Sequence, residues 1–240
     1  MPIATNASSA VGPQPPKYPA HALPLSREHA FLQRAPAPDF WALAPHYVGQ
    51  AGDSACSAAS LTMLVNASRH ARPLDTETPL VSQTLLRERV ASASWERGLA
   101  PNGEGVTLEQ LGVLAEQSLR AFGLEPLRVQ VTHVPDTSPD ALARWRAVLH
   151  ENESSTRDWL FVNFLASTYV GVGDYGHIAP IGAYDEPNQR LLVMDPDRTW
   201  YEPYWIPDDI ALAGMATRDP VSGAPRGYLL VSACDGACGR

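Results

Sequence analysis

The sequence predicts an α+β fold, with a helical lobe packed against an antiparallel β-sheet lobe and a cleft between the two. Three observations carry this. Helical periodicity dominates the first half, from Cys56 to Phe122. Short apolar, strand-like runs dominate the second half, at residues 159–165, 178–184, 191–194, 204–206 and 228–232. Helices come first and strands after, rather than alternating with them, which argues for segregated layers. The chain has 240 residues and a hydrophobic content of 45%, enough to bury a core. There is no internal repeat.

Residues 1–25 are rich in Pro, Ala and Ser, and Pro13, Pro15, Pro16, Pro19 and Pro24 predict a loose, flexible arm. It lacks a basic leader followed by an apolar core, so it does not read as a secretory signal. A two-lobed domain is expected over residues 26–232 and a C-terminal tail over 233–240. The domain opens with a short helix over 26–33, then an apolar stretch, 40–47, that packs beside the entry to the next helix.

That next helix is the centre of the chain. Stretch 50–67 is a small-residue loop running into a helix whose Ala58, Leu61 and Val65 fall at helical spacing. Asp53 or Ser54 is expected to cap it. Cys56 falls in the first turn, where orphan N–H groups and the positive end of the dipole stabilise negative charge on sulfur. Gln50, six residues earlier, can donate its amide to an oxyanion beside that sulfur. The plain alternative is that Cys56 is a small core hydrophobe.

A second helix is expected over 81–95, closed by Gly98, and a loop over 100–105. Thr107 with Gln110 is a capping-box pattern, and Leu108, Leu111, Leu114 and Ala115 continue a helix to Phe122, stopped by Gly123. Leu127, Val129 and Val131 alternate as in a strand. Ser138 and Pro139 open another helix, since proline suits the first helical position. Residues 159–165 read as a buried strand.

Asp185, Glu186, Pro187 and Asn188 supply turn chemistry between two strand-like runs. In a hairpin centred near Glu186, His177 lies nine residues before the centre and Asp195 nine after. Unslipped, they face each other with Cβ atoms ~5 Å apart. A carboxylate then holds the imidazole in one tautomer and leaves its other nitrogen free to take a proton. Pro180 requires a bulge or an edge position, so the register is open by one residue. A structural His–Asp pair is the alternative. Together, Cys56, His177, Asp195 and Gln50 make a full set for thiol catalysis: nucleophile, base, orienter and oxyanion donor.

Composition excludes other classes. A net charge of -8 argues against nucleic acid or an anionic membrane as the main partner. No apolar run approaches the roughly 20 residues of a membrane helix. Three cysteines cannot all pair, so this is not a disulfide scaffold. The other six histidines show no ligand spacing, so no structural metal is expected. Cys234 and Cys238 are two soft ligands where four are usual, and read as a tail. The compartment is not set, with cytoplasm favoured.

The motifs around these residues resemble the phytochelatin synthase catalytic domain. They are Gln50 to Cys56 with the helix to Ala67, Gly176-His177 with Pro180, the run ending at Asp195, and Arg226-Gly227 entering the last strand. The resemblance spans about Ala44 to Ser232. That family is similar to papain-like cysteine peptidases, so the resemblance implies a papain-like fold, a Cys56–His177–Asp195 triad and Gln50 at the oxyanion hole. It implies attack on the Cys–Gly bond of glutathione, a γ-glutamylcysteinyl thioester on Cys56, and transfer to a second glutathione or to water. It also implies Arg226 beside the γ-glutamyl carboxylate and Asp219 holding the substrate's amino group, following the Asp-x-x-Ser-Gly-x-x-Arg-Gly pattern. The alternative for that pair is a solvated charge pair on a loop. No tightly bound cofactor is implied. Heavy metal (Cd²⁺ or Zn²⁺) enters as the glutathione thiolate complex. Glutathione is the expected partner, as donor and as acceptor, and a homodimer is left open.

Two departures stand out. Ser57 replaces the family's usual glycine after the nucleophile, where substrate backbone is expected to approach. Ala166 replaces an arginine in the strand before His177, which weakens the second-substrate site relative to the first acylation. The remaining alternatives are a glutathione hydrolase only, a cysteine peptidase of the same fold, and a non-catalytic glutathione- or partner-binding module.

Overall fold

The computed structural model describes residues 16–69, 74–124 and 127–233, so Cys234 and Cys238 lie outside it. In chain order its elements are β1 (Leu23–Pro24), α1 (Pro38–Leu43), α2 (Cys56–Arg69), α3 (Gln83–Val90), α4 (Ala93–Gly98) and α5 (Leu108–Ala121). Then come β2 (Leu127–His133), α6 (Pro139–Ser154), β3 (Asp158–Leu165), α7 (Ala166–Val170), β4 (Gly176–Asp185), β5 (Arg190–Val193), β6 (Tyr204–Pro207), α8 (Asp208–Met215) and β7 (Gly227–Ala233). The strands form one antiparallel sheet in the order β1-β6-β5-β4-β3-β7-β2. The α+β class is therefore observed. No helix among the described residues is long and apolar enough to cross a membrane.

Helices cover both faces of the sheet. Leu61, Trp95, Leu111, Phe161 and Ile178 share a core on one face, where α2, α4 and α5 pack. Trp145, Leu149, Tyr169, Leu212 and Ala179 share another, where α6, α7 and α8 cover the opposite face. The central strands β3 and β4 are thus buried on both faces, which explains their continuous apolar runs.

Helix α2 is buried from Cys56 through Ser68 on every side, not along one stripe. Alanine and serine make this possible, because they let neighbouring elements approach closely. Its polar groups find partners inside. Asn66 brackets Val81, donating to its carbonyl and accepting from its N–H, both at 2.9 Å. The Thr62 hydroxyl donates back to the Ala58 carbonyl at 2.7 Å. The Ser54 hydroxyl, one of the two expected caps, donates to the Gly103 carbonyl, and the helix starts two residues later at Cys56.

The single helix expected over 81–95 is two helices. Ala91 turns left-handed with φ 46, and Ser92 then caps α4 by accepting from Ser94 N–H. The Thr107–Gln110 capping box on α5 is present in full. The short helix expected over 26–33 is only a single 3-10 turn, Leu25–Arg27. The loose arm expected through residue 25 is corrected for residues 16–25. There Leu23 and Pro24 pair with Trp205 and Tyr204 at the sheet edge, and Ala22 is buried. Proline is tolerated here because an edge strand needs no donor on its outer side.

Truncating Leu61, which is fully buried between α2 and the sheet, is expected to destabilise the protein by about 2–5 kcal/mol. Val113→Ala, at a position 54% exposed on α5, should stay within about 0.5 kcal/mol of the parent. Urea unfolding of both variants measures the contrast.

Candidate active site

Antiparallel pairing gathers the candidate residues at one end of the sheet. His177 is the second residue of β4, Asp195 lies two residues beyond the end of β5, and Arg226 immediately precedes β7. The N-terminus of α2 meets this end and brings Cys56 to it. Together they line or adjoin a cleft of about 910 Å³ whose walls include Gln50, Cys56, Asn163, Tyr175, Asp219 and Arg226.

His177 Nε2 donates to Asp195 Oδ1 at 2.7 Å, with both side chains buried. The expected juxtaposition is present, but by a different register. The hairpin pairs Asp185 with Arg190, Tyr184 with Leu191 and Ala183 with Leu192, then slips at Gly182 so that Ile181 faces Val193. Carried two residues past that last pair, Asp195 would lie opposite Ala179, on the same face as His177. The contact is therefore diagonal across the strands, a reach still open to long side chains. The bulge falls beside Pro180, whose carbonyl accepts from Met194 N–H at 2.9 Å. Gly182 is needed at the slip, since a Cβ there would lie 2.9 Å from Met194 Sδ.

Burial alone would push the His177 imidazole down, but the Asp195 charge and hydrogen bond, with a further bond and charge from Cys56, hold it well above its ordinary range. Burial alone would push the Asp195 carboxyl up, but the imidazolium holds it below its ordinary range, helped by bonds from Asp197 N–H and the Tyr204 hydroxyl. Those bonds are 2.8 and 2.9 Å long. With Nε2 committed to Asp195, the other ring nitrogen, Nδ1, is the one that serves Cys56. The arrangement can therefore hold a thiolate beside an imidazolium, and can pass a proton between sulfur and a leaving group.

Gln50 lies on the cleft wall. Its backbone N–H donates to the Pro196 carbonyl at 2.7 Å, tying the loop before α2 to the loop that carries Asp195. Its side-chain Nε2 donates to the Asp53 carbonyl at 3.3 Å, and its Oε1 is buried without a partner. Such a long bond to a local carbonyl is weak enough to exchange for a stronger acceptor.

Arg226 is not a solvated surface charge, since it is only 3% exposed. Its Nη1 donates to the Arg218 carbonyl at 2.6 Å and to Thr217 Oγ1 at 3.1 Å. Its Nε is buried without a partner, and Asp219 stands off at 4.0 Å from Nη2. Burial pulls the guanidinium down, while Asp219 and Asp174 raise it. A buried cation with a donor to spare is a ready partner for a carboxylate. The guanidinium packs on Gly176, where a Cβ would come within 3.1 Å of Nη2. The Asp219 carboxylate accepts from Val221 N–H, Ser222 N–H and Ser222 Oγ, so it shapes the loop that holds it against the cleft.

The Ser57 departure has a different consequence from the one expected. Ser57 is fully buried, and its hydroxyl accepts from Trp95 Nε1 at 3.0 Å. It faces the helical layer rather than the cleft, so it takes no room from a ligand. Ala166, where an arginine was expected, is buried at the start of α7. Sequence reasoning missed Tyr204 and Tyr47, whose hydroxyls donate to the Asp195 carboxylate and carbonyl. Tyr204 showed only as part of a strand, and nothing local marks a tyrosine that will end under a carboxylate. Among the described residues there is no group of three His, Cys, Asp or Glu side chains placed to hold a metal ion.

Comparison with known proteins adds the following. A family model described as Phytochelatin synthase matches residues 26–228. The Glutathione gamma-glutamylcysteinyltransferase of Schizosaccharomyces pombe is 29% identical over 128 residues, which are 53% of this chain and 28% of that protein. The Glutathione gamma-glutamylcysteinyltransferase 1 of Triticum aestivum is 26% identical over 201 residues, 84% of this chain and 37% of that one. The aligned region thus spans about a third of the length of these curated relatives. Among solved structures, Xylellain, a cysteine protease from Xylella fastidiosa, aligns with a TM-score of 0.43 at 11% identity, covering 78% of this chain and 83% of that one.

The pair sets a pH window for stability. The raised His177 contributes fully below its ordinary value of about 6.5, and its contribution fades as pH rises through the raised value. The depressed Asp195 contributes fully above its ordinary value of about 3.9, and its contribution fades on acidification. The stability gap between the parent and His177→Gln is therefore expected to be widest at about pH 4–6.5 and to narrow on either side, as read by urea unfolding across pH.

Proposed function

The chain belongs to the phytochelatin synthase family, and from that premise we propose that it cleaves the Cys–Gly bond of glutathione through a thioester on Cys56. The observation that carries this reading is a buried guanidinium with an unpartnered Nε, in the same cleft as a cysteine whose side chain meets a buried His–Asp pair.

Arg226 receives the γ-glutamyl α-carboxylate, and Asp219 receives the neighbouring α-amino group. This seats the scissile carbonyl over Cys56. The thiolate attacks the carbonyl carbon, and the oxyanion that forms accepts hydrogen bonds from Gln50 Nε2, swung from the Asp53 carbonyl, and from the Cys56 N–H at the helix start. His177 donates its Nδ1 proton to the glycine nitrogen, the C–N bond breaks, and glycine leaves. His177, now neutral, takes a proton from the incoming nucleophile, and that nucleophile attacks the thioester and releases the sulfur. The nucleophile is the amine of a second glutathione in transfer and water in hydrolysis. Asp195 keeps the ring in one tautomer throughout. A thiophilic ion such as Cd²⁺ or Zn²⁺ belongs to this scheme as a glutathione thiolate complex, hence as substrate.

Ala166 favours a second reading of the acceptor step. An apolar, buried residue stands where an arginine would help hold a second glutathione. This supports hydrolysis to γ-glutamylcysteine as the main outcome.

Cys56→Ser is expected to abolish glycine release from glutathione, and retained release would sink the assignment of the nucleophile. Mass spectra of products formed with Cd²⁺ present separate the two acceptors: γ-Glu-Cys oligomers mean transfer, and γ-glutamylcysteine alone means hydrolysis. Arg226→Gln should raise KM for glutathione by about 10- to 100-fold, the worth of a hydrogen bond to a charged group. Steady-state kinetics would expose an unchanged KM, which removes Arg226 from the substrate site.

A further inference from the structure

Asp195 depends on more groups than His177. Its Oδ1 accepts two bonds, from His177 and from Asp197 N–H. Its Oδ2 accepts from the Tyr204 hydroxyl at 2.9 Å. Tyr204 is fully buried on β6, and its own ionisation is pushed far above the ordinary tyrosine range by burial and by Asp195, so it stays a donor.

Tyr204 is in turn held by the first described segment of the chain. Pro24 lies directly opposite it across β1 and β6, and Leu25 N–H donates to the Pro203 carbonyl at 2.8 Å. The Tyr18 ring packs on Tyr204 at 5.9 Å and on Tyr201 at 5.8 Å, and the Tyr18 hydroxyl accepts from Glu202 N–H at 3.2 Å. His21 Nε2 anchors the same segment to the Thr168 and Tyr169 carbonyls, at 3.2 and 3.0 Å. All of these residues before Ser26 precede the family-matched region, 26–228.

We propose that Tyr204 is a positioning residue for the Asp195 carboxylate, and that residues 17–25 form a strap that holds Tyr204 against it. The proposal rests on the reading above that Asp195 orients His177. Removing the hydroxyl leaves a buried carboxylate oxygen without that donor, and a carboxylate so stripped protonates more readily. Its grip on the imidazolium then weakens at the acid end, and with it the thiolate on Cys56. The other groups around Asp195 do not replace that donor. Tyr47 binds its backbone carbonyl, not its carboxylate. Tyr175 and Tyr201 are both shifted upward by burial first and by nearby acids after it, so they stay neutral. The Asp197 carboxyl is itself an acid pushed up by burial and by Asp195, so it adds repulsion rather than support.

The test is the rate of Cys56 alkylation by iodoacetamide against pH, followed by mass spectrometry, with glutathione cleavage measured alongside. Tyr204→Phe removes one oxygen and keeps the ring. It is expected to slow alkylation by up to about tenfold at about pH 4–5, the effect of one pK unit on Asp195, and to converge on the parent as pH rises and the Asp195 carboxyl is ionised in both proteins. In the cleavage assay kcat should fall while KM holds, since a positioning defect acts in the transition state. An alkylation profile that overlays the parent would overturn the role of Tyr204, whatever happens to the melting temperature. Tyr18→Ala, at a partly exposed position, tests the strap without opening the core and should shift the profile in the same direction by about two- to threefold. A parent-like profile for Tyr18→Ala overturns the strap. The alkylation readout needs no substrate. Failure of the parent protein to release glycine would therefore defeat the glutathione reading while the profiles still decide this one.

Discussion

The buried bond between His177 and Asp195 is the constraint on which the rest of the site depends. Two ionisable groups removed from water are favourable only when each is paired and its remaining hydrogen-bonding capacity is met. Both conditions hold here. The carboxylate takes donors from an imidazole, a backbone amide and a tyrosine hydroxyl. The imidazole is left with one free nitrogen, turned to the cysteine. A pair built this way is costly to disturb, so it fixes the direction in which the ring can move a proton.

The sheet is built to deliver that pair. Antiparallel strands bring the start of β4, the end of β5 and the entry to β7 to one edge, which is why residues far apart in the chain meet. The slip at Gly182 is what lets Asp195 reach His177 diagonally, and Pro180 beside it could not have donated to a regular ladder. The N-terminus of α2 meets the same edge because the helix is buried on all sides, pressed on the sheet by α1, α3 and α5. Small side chains on α2 permit this closeness. The Ser57 hydroxyl is engaged by the Trp95 indole.

Opposite charges divide the cleft. Arg226 is held by carbonyl and hydroxyl oxygens on one side and keeps Nε unpaired. Asp219 shapes its own loop and stands 4.0 Å from the guanidinium, too far for a full bond. A cation and an anion kept apart in this way are the pair proposed to take the substrate's carboxylate and amine. Burial of both side chains, Arg226 above all, is why a solvated charge pair is the wrong description.

Much was legible in the chain alone. Helical periodicity, the Thr107–Gln110 box, Ser138–Pro139 and the dense apolar strands are local signals, written within a few residues of where they act. So was the gathering of Cys56, His177 and Asp195, because their chemistry and their neighbours make a recognisable set. Other features were not. The break at Ala91 and Ser92 rests on a local cap that the helical pattern masked, while the exact register of the slip beside Pro180 and the docking of residues 16–25 turn on partners distant in sequence. Tyr204 belongs with them: a buried tyrosine in an apolar strand carries no mark of the carboxylate it will meet. Residue type and spacing determined what chemistry the chain holds. Which groups lie within a hydrogen bond of one another was decided only by packing, because burial leaves a charged atom no water and obliges it to find its donors wherever the fold has placed them.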